Sequence, residues 1–400
     1  MSMLPSLLRS LPKFRQSWKP LHFSNLDFVR LPADQKIEEE TRPDYVASRC
    51  YPARIGEVFK ERYQVVGKLG YGASSTVWLA RDMSHRRYVT LKLYINSASL
   101  GQHLDDELEM YKRISKASKS HPGRTSVRSL LDSFDLDGPE DKHRCLVHAP
   151  LWESVLTFLR RNPIHRLPAP VLAFVLQRSF LSLDYLPTEY IKADNIMFGI
   201  EDDSVFSDFE DRELKTPCAR KEIDGRVIYE SHELRMPKEW GAPVLCDFGS
   251  AVPGDVEHSE DIQPDIYRAP EVIIEAPWSY SADIWNVGCM IWSIFENEPL
   301  FTGHDPELQT YRSRAHIAEM VSLLGQPPRE LLAQGRLSEK NFTKEGGVCA
   351  GVPVPDHVLL EDRETSLEGE DKARFLNLMT KILQWEPGKR ASAKELAEDD

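Results

Sequence analysis

The rhythm of hydrophobic and polar positions changes several times along this chain. After a Pro-rich, charge-mixed stretch to about residue 55, Tyr63-Gln-Val-Val-Gly-Lys-Leu69 alternates with period two and predicts a strand. A turn at Gly70-Tyr71-Gly72 leads into a second strand at Val77-Trp78-Leu79-Ala80, and Tyr88 to Leu93 predicts a third. Leu104, Leu108 and Tyr111 then recur at helical spacing, on one apolar stripe. Cys145 to Leu151 is a short apolar strand running into a turn. Residues 170–186 predict a buried helix with Pro170 in its first turn. Val244-Leu245-Cys246 predicts a buried strand, and Asp283 opens a long apolar helix to about Phe295. Strands early and helices late predict an α+β fold in two parts.

Some of these elements carry chemistry. Two glycines in the turn let backbone N–H groups approach phosphates, although a G-x-G alone reads equally as a hairpin turn. Lys92 lies inside an apolar strand, where burial is costly without pairing, so an anion and an acid partner are expected. Glu107, 15 positions further on, is the expected partner, with Glu109 as the competing choice. Asp247 ends a buried strand just before Phe248-Gly249, a placement rarely needed for structure alone.

Composition narrows the class. The 400 residues, 41% hydrophobic and 28% charged, suffice for two domains or one large two-lobed domain with a full core. A formal charge of −13 argues against nucleic-acid binding and leaves basic partners open. Six dispersed cysteines without a C-x-x-C pair suggest a reduced, intracellular protein lacking structural zinc. No apolar run is long enough to span a membrane. The first acid is Asp27, preceded by Arg9, Lys13, Arg15 and Lys19, as in a mitochondrial presequence. Pro5, Pro12 and Pro20 would interrupt the helix such a signal needs, so a disordered arm is the other reading.

Together the Gly-rich turn, the Val89-Thr90-Leu91-Lys92 strand, Ile191-Lys192-Ala193-Asp194-Asn195, Asp247-Phe248-Gly249 and Ala269-Pro270-Glu271 resemble the ordered motifs of a eukaryotic protein kinase. Arg54-Ile55-Gly56-Glu57-Val58-Phe59 and Leu324-Gly325-Gln326-Pro327-Pro328 are similar to the SR-protein kinase (SRPK) family of the CMGC group. The resemblance implies a two-lobed kinase fold: an N-terminal extension over 1–55, an N-lobe with hinge over 56–151, and a C-lobe over 152–400. It also implies a family spacer, here an acidic insertion at about 199–242, and a CMGC-type insert at about 303–365. Residues 201–213 hold seven acids and one base, reading as a solvated loop or a docking surface for basic peptides. By resemblance, Leu69, Gly70, Gly72 and Val77 would cover ATP, and Lys92, anchored by Glu107, would hold its phosphates. Ala149 and Leu151 would hold the adenine edge, Asn195 and Asp247 would bind Mg2+, and Glu271, Asp283 and Arg390 would be structural, Glu271 pairing with Arg390. The implied activity is phosphorylation of serines in Arg/Ser-rich proteins such as splicing factors, by a cytoplasmic or nuclear monomer.

One motif breaks. The pattern H-R-D-x-x-x-x-N, counted back from Asn195, puts the catalytic aspartate at Tyr190, and no His-x-Asp is present. Only Pro187 to Tyr190 separates Leu186 from Ile191, a shortening of about five residues against the motif. A phenol whose pKa is about 10 stays protonated near neutrality and cannot serve as base. Losing a positioned base costs about 10²–10⁴ in rate, and a displaced Asn195 would add to that. Three readings follow: an active kinase whose residues are missing from this sequence, a nucleotide-binding pseudokinase acting as scaffold or decoy, or residual activity through Glu189.

Overall fold

The computed structural model describes residues 17–96, 103–164, 166–186, 188–189, 195–249, 251–253, 258–343, 346–349 and 351–399. The chain divides into two compact units. One comprises Met1–Ser99, Leu131–Pro150 and Ser204–Arg235, and the other comprises Leu100–Leu130, Leu151–Asp203 and Met236–Asp400. The division differs from a simple cut after residue 151. The insertion groups with the smaller unit, and residues 100–130 group with the larger one.

The smaller unit is built on a six-stranded sheet in the order β1-β2-β3-β4-β6-β5. Its strands are β1 (Val58–Phe59), β2 (Tyr63–Tyr71), β3 (Ser75–Asp82), β4 (Arg87–Asn96), β5 (Leu130–Asp137) and β6 (Lys142–His148). The period-two pattern puts Trp78, Ala80, Val89, Leu91, Leu93, Cys145 and Val147 in one buried cluster. An antiparallel sheet commonly leaves one face wet. Here Ala53, Phe59, Cys218 and Tyr229 join that cluster, and Tyr51, Ile55 and Val227 pack against it. The Tyr229 ring meets Trp78 edge-on at 5.7 Å.

The insertion is therefore not a solvated loop. It forms a helix, Ser204–Lys215, and a hairpin of Arg220–Ile223 with Arg226–Tyr229. Val205, Phe206 and Phe209 of the helix are buried, and Phe206 lies 5.4 Å from Tyr88. Two of its acids also turn inward. Glu213 is buried and accepts from the Cys218 amide, while Glu210 accepts from the Tyr88 hydroxyl at 3.0 Å and pairs with Arg81 at 3.3 Å.

The extension, from Ser17 onward, also lies on this unit. Leu21 and Gln64 exchange two hydrogen bonds of 2.8 Å, and Arg81 stacks over Trp18 at 4.5 Å. Leu31 donates to the Arg220 carbonyl, and the Arg220 amide donates to Val29. The presequence-like residues 1–16 lie outside the described residues.

The larger unit is mostly helical. Its central helix, Ser281–Glu296, is buried along almost its whole length, with Trp285 and Trp292 fully enclosed. Helices Ala169–Tyr185 and Gly369–Ile382 belong to the same unit. The expected insert at about 303–365 contains helix Ser313–Leu324 and short helices at Arg329–Leu332, Ser338–Asn341 and Leu360–Arg363. Gly325, at a φ of 76°, ends the first of these in a conformation that glycine adopts without a Cβ penalty. No helix of the described residues is long and apolar enough to cross a membrane.

The contact between insertion and sheet has a testable weak point. A Cβ on Gly67 would stand 2.7 Å from Phe209 Cε1, and the Phe209 ring is itself buried, with no room to retreat. Gly67→Ala is expected to lower stability by about 1–3 kcal/mol, the range for overpacking, measured as a shift of the urea midpoint. An unchanged midpoint would mean that the insertion helix is not held against β2.

Candidate active site

The smaller unit holds, within itself, one row across four strands. Gly70 pairs with Val77, Val77 with Lys92, and Lys92 with Leu146. Directly opposed residues share a sheet face, so Gly70, Val77 and Lys92 present one surface, opposite to the face on which Tyr229 of the insertion's hairpin meets Trp78. The insertion helix packs further along this same surface, on Arg81 and Tyr88. Lys92 and Val77 are half-buried, as is Leu69, and Lys92 Nζ sits 5.0 Å from the Tyr94 ring centroid. Ala149 follows the end of β6 and is exposed.

The glycines of the turn are not required by the chain itself. Neither Gly70 nor Gly72 has a positive φ. Among the described residues, a Cβ on Gly70 would meet nothing within 4 Å, and one on Gly72 would meet only Ser75 at 3.9 Å. Closure comes from the Gly72 amide, which donates to the Ser75 carbonyl at 2.8 Å. Open space beside two glycines fits the approach of an external group such as a phosphate.

The larger unit, taken by itself, holds the candidate acids. Glu107, on helix His103–Lys116, is 1% exposed, and its Oε2 lies 3.3 Å from where a Gly249 Cβ would be. Four residues on, Tyr111 meets Phe248 edge-on at 5.3 Å, so one stripe of the helix faces the Asp247-Phe248-Gly249 turn. Glu109 is exposed and pairs with Lys112 at 3.6 Å on the surface. Leu151 is half-buried at the start of this unit's second segment.

Asn195 and Asp247 stand together at the end of an antiparallel pair, Ile196–Ile200 with Trp240–Leu245. The Asn195 carbonyl accepts from the Cys246 amide at 2.8 Å, and its Nδ2 donates to the Asp247 carbonyl at 3.4 Å. Asn195, expected to shift with the shortened loop, is instead fixed from its downstream side by this pairing. Asp247 is exposed with a φ of 62°, a left-handed conformation that aspartate tolerates better than most residues. The Asp247 carboxylate, with Oδ1 3.6 Å from where a Gly249 Cβ would be, and the Asn195 carboxamide carry hard oxygen donors of the kind Mg2+ prefers.

The rest of the loop is described only in part. Tyr190 lies outside the described residues, as do Pro187 and 191–194. Glu189 contributes backbone pairing with Val252, and its side chain is likewise outside them.

The family-model comparison matches residues 236–400 to the protein kinase domain. A serine/threonine protein kinase of Aspergillus fumigatus is 40% identical over 377 residues, covering 93% of this chain and 92% of its own. The serine/threonine-protein kinase SRPK of Physarum polycephalum is 28% identical over 393 residues, covering 90% of each. SRSF protein kinase 3 of Mus musculus is 23% identical over 508 residues, covering 90% of this chain and 89% of its own. This chain belongs to the serine/threonine protein kinase family, and it is similar to that family's SR-protein kinases. Its two units, one built on a sheet and one mostly helical, are the lobes of the kinase fold, a domain that generally uses ATP and Mg2+.

In this kinase fold the helical lobe is tied by a buried ion pair. Arg390 holds Glu271 through two contacts of 2.5 and 2.7 Å, with both side chains 0% exposed. The same guanidinium donates to the Ser281 and Gln384 carbonyls. Asp283, also buried, opens the central helix that the Ser281 contact anchors. Sequence reading missed a second tie. Gln263, at a φ of 72°, donates to the Ala282 carbonyl at 2.8 Å and accepts from the Ala269 amide at 2.9 Å. A glutamine five residues before Arg268-Ala269-Pro270-Glu271 gave no periodic or motif signal.

Arg390→Met would leave the Glu271 carboxylate buried without its partner. A loss of about 3–5 kcal/mol is expected, read by chemical denaturation of the whole chain. Adding Glu271→Gln to that variant should recover part of the loss, since the orphaned charge is then gone.

Proposed function

We propose that this chain is an ATP- and Mg2+-dependent serine/threonine kinase of SRPK type, acting on serines in Arg/Ser-rich basic proteins. The observation that carries this reading is the set Gly70, Val77 and Lys92 on one sheet row, together with Asn195 and Asp247 on one strand pair. Gly70 and Gly72 would offer backbone donors to the phosphates, Lys92 a compact positive charge, and Ala149 and Leu151 backbone groups to the base. Asn195 and Asp247 would hold Mg2+, which would supply positive charge against the charge developing on the phosphates. A net charge of −13 and the names of the SRPK and SRSF kinases among the relatives support a basic substrate.

One observation favours a second reading. Tyr190 stands at the catalytic aspartate's place, and a phenol does not take the serine proton near neutral pH. On that reading the chain binds nucleotide and Arg/Ser-rich partners without turning them over, as a scaffold or decoy.

Two measurements separate them. The kinase reading expects phosphate transfer to an Arg-Ser repeat peptide, lowered about 10²–10⁴-fold for want of a positioned base, and abolished in Lys92→Ala and in Asp247→Asn. An ATP- and Mg2+-dependent thermal shift with no transfer selects the scaffold. Transfer that disappears in Glu189→Gln assigns the proton to Glu189. If neither ATP nor the peptide binds, both readings fail.

A further inference from the structure

Lys68 lies in β2, two positions before Gly70, on the sheet face opposite to Lys92, and is 1% exposed. A lysine buried to that degree requires partners; its acid and carbonyl partners come from distant stretches of chain, and its Nζ also lies 5.4 Å from the Tyr71 ring centroid. Its Nζ contacts Glu39 Oε2, stands 3.3 Å from Glu38 Oε2, and donates to the Tyr229 carbonyl at 3.1 Å. Its backbone carbonyl accepts from the His232 amide at 2.9 Å.

The acids arrive on a short 3-10 turn, Glu38–Thr41, whose position is over-determined. Glu38 also accepts from the Ser231 amide and hydroxyl, at 2.9 and 2.6 Å. Glu40 pairs with Lys221 at 2.7 Å, and Lys221 donates in turn to the Gln35 carbonyl at 2.8 Å. Glu38 itself is held at a φ of 54°, a conformation that persists in a non-glycine residue only when its surroundings enforce it. Beyond this turn the extension reaches the Gly-rich hairpin. Tyr45, Arg49 and Cys50 share with Gly72, Ser75 and Thr76 the walls of a cavity of about 50 Å³.

We propose that Lys68, clamped by Glu38 and Glu39, is a positioning residue for the Gly-rich hairpin, through which the extension sets how closely that hairpin closes on a nucleotide. The physical reason is leverage. β2 leads directly into the hairpin, whose own glycines impose no packing restraint, so its position must be set from its base. A buried cation fixed to two carboxylates and a carbonyl sets that base, and removing the cation would leave buried carboxylates without their partner. The consequence for nucleotide binding rests on the proposed function; the restraint on the hairpin does not.

The test pairs hydrogen exchange of the nucleotide-free chain with ATP affinity measured in the presence of Mg2+. In Lys68→Met, amide exchange over Gly70–Thr76 should quicken by about tenfold or more while Leu91 and Val147 keep their protection. The dissociation constant for ATP should rise about tenfold. Lys68→Arg, which preserves charge and reach, should retain most of both. Glu40→Gln weakens the same turn at Lys221, away from β2, and should leave hairpin exchange unchanged. If Lys68→Met does not fold, Glu39→Gln, which leaves Glu38 in place, should show a smaller change of the same pattern. Hairpin exchange that stays at the unaltered chain's rate, or that rises in step with β4 and β6, overturns the proposal. If the unaltered chain binds no ATP, the nucleotide reading fails, and the exchange pattern still decides the clamp.

Discussion

A β-sheet that is apolar on its outer face must be covered, and much of the smaller lobe follows from that need. Trp78, Leu91, Leu93 and Val147 all point to the face away from Lys92. Exposing such side chains forfeits about 1.5–3 kcal/mol each, more than a marginally stable domain can spare. The cover comes from two stretches far apart in the chain, the extension before residue 56 and the insertion after residue 203. They are also joined to each other: Arg220 bonds to the backbone at Val29, and Lys221 and Ser231 bind the acids of the Glu38 turn. The insertion thus interrupts the sequence of one lobe while completing the core of the other.

That arrangement explains which parts of the fold could be read from the chain. Period two in β2, β3 and β4 marked the strands, and the same alternation placed Val77 and Lys92 in a single row. The Glu271–Arg390 pair was legible because both residues lie in sequence motifs. The insertion was misread because its acids outweighed its apolar residues in the composition of 201–213. Val205, Phe206 and Phe209 have the spacing of a helix stripe, and that was the available signal. Composition alone cannot tell whether an acid faces water. Glu210 and Glu213 face Tyr88, Arg81 and the Cys218 amide, partners contributed by other parts of the chain.

Lys68 shows a different failure. The argument that singled out Lys92, a lysine inside an apolar strand, applies equally to Gln64-Val-Val-Gly-Lys-Leu69. The first lysine drew attention because a motif surrounded it, and the second was passed over because none did. Yet Lys68 is the more deeply buried of the two. Physical cost is the same signal in both places. One lysine faces the side where a phosphate would lie, and the other faces the chain's own carboxylates.

The missing base can be weighed in the same terms. Phosphoryl transfer asks a protein mainly for positioning and for charge stabilisation, with little covalent chemistry of its own. Removing the proton acceptor is therefore a loss of about 10²–10⁴, against total accelerations of at least about 10⁶ in enzymes generally. A shortened loop would be more damaging if it also displaced the metal-holding asparagine. Asn195 is secured from the other side, by the Cys246 amide and by the strand that begins at Ile196. Its place beside Asp247 is held by residues that follow it in the chain, so on the proposed reading a lost proton acceptor would leave the proposed metal-binding pair in place. A chain of this kind would keep the part of the machinery that binds Mg2+ and nucleotide, and would lose the part that decides how fast a serine is deprotonated.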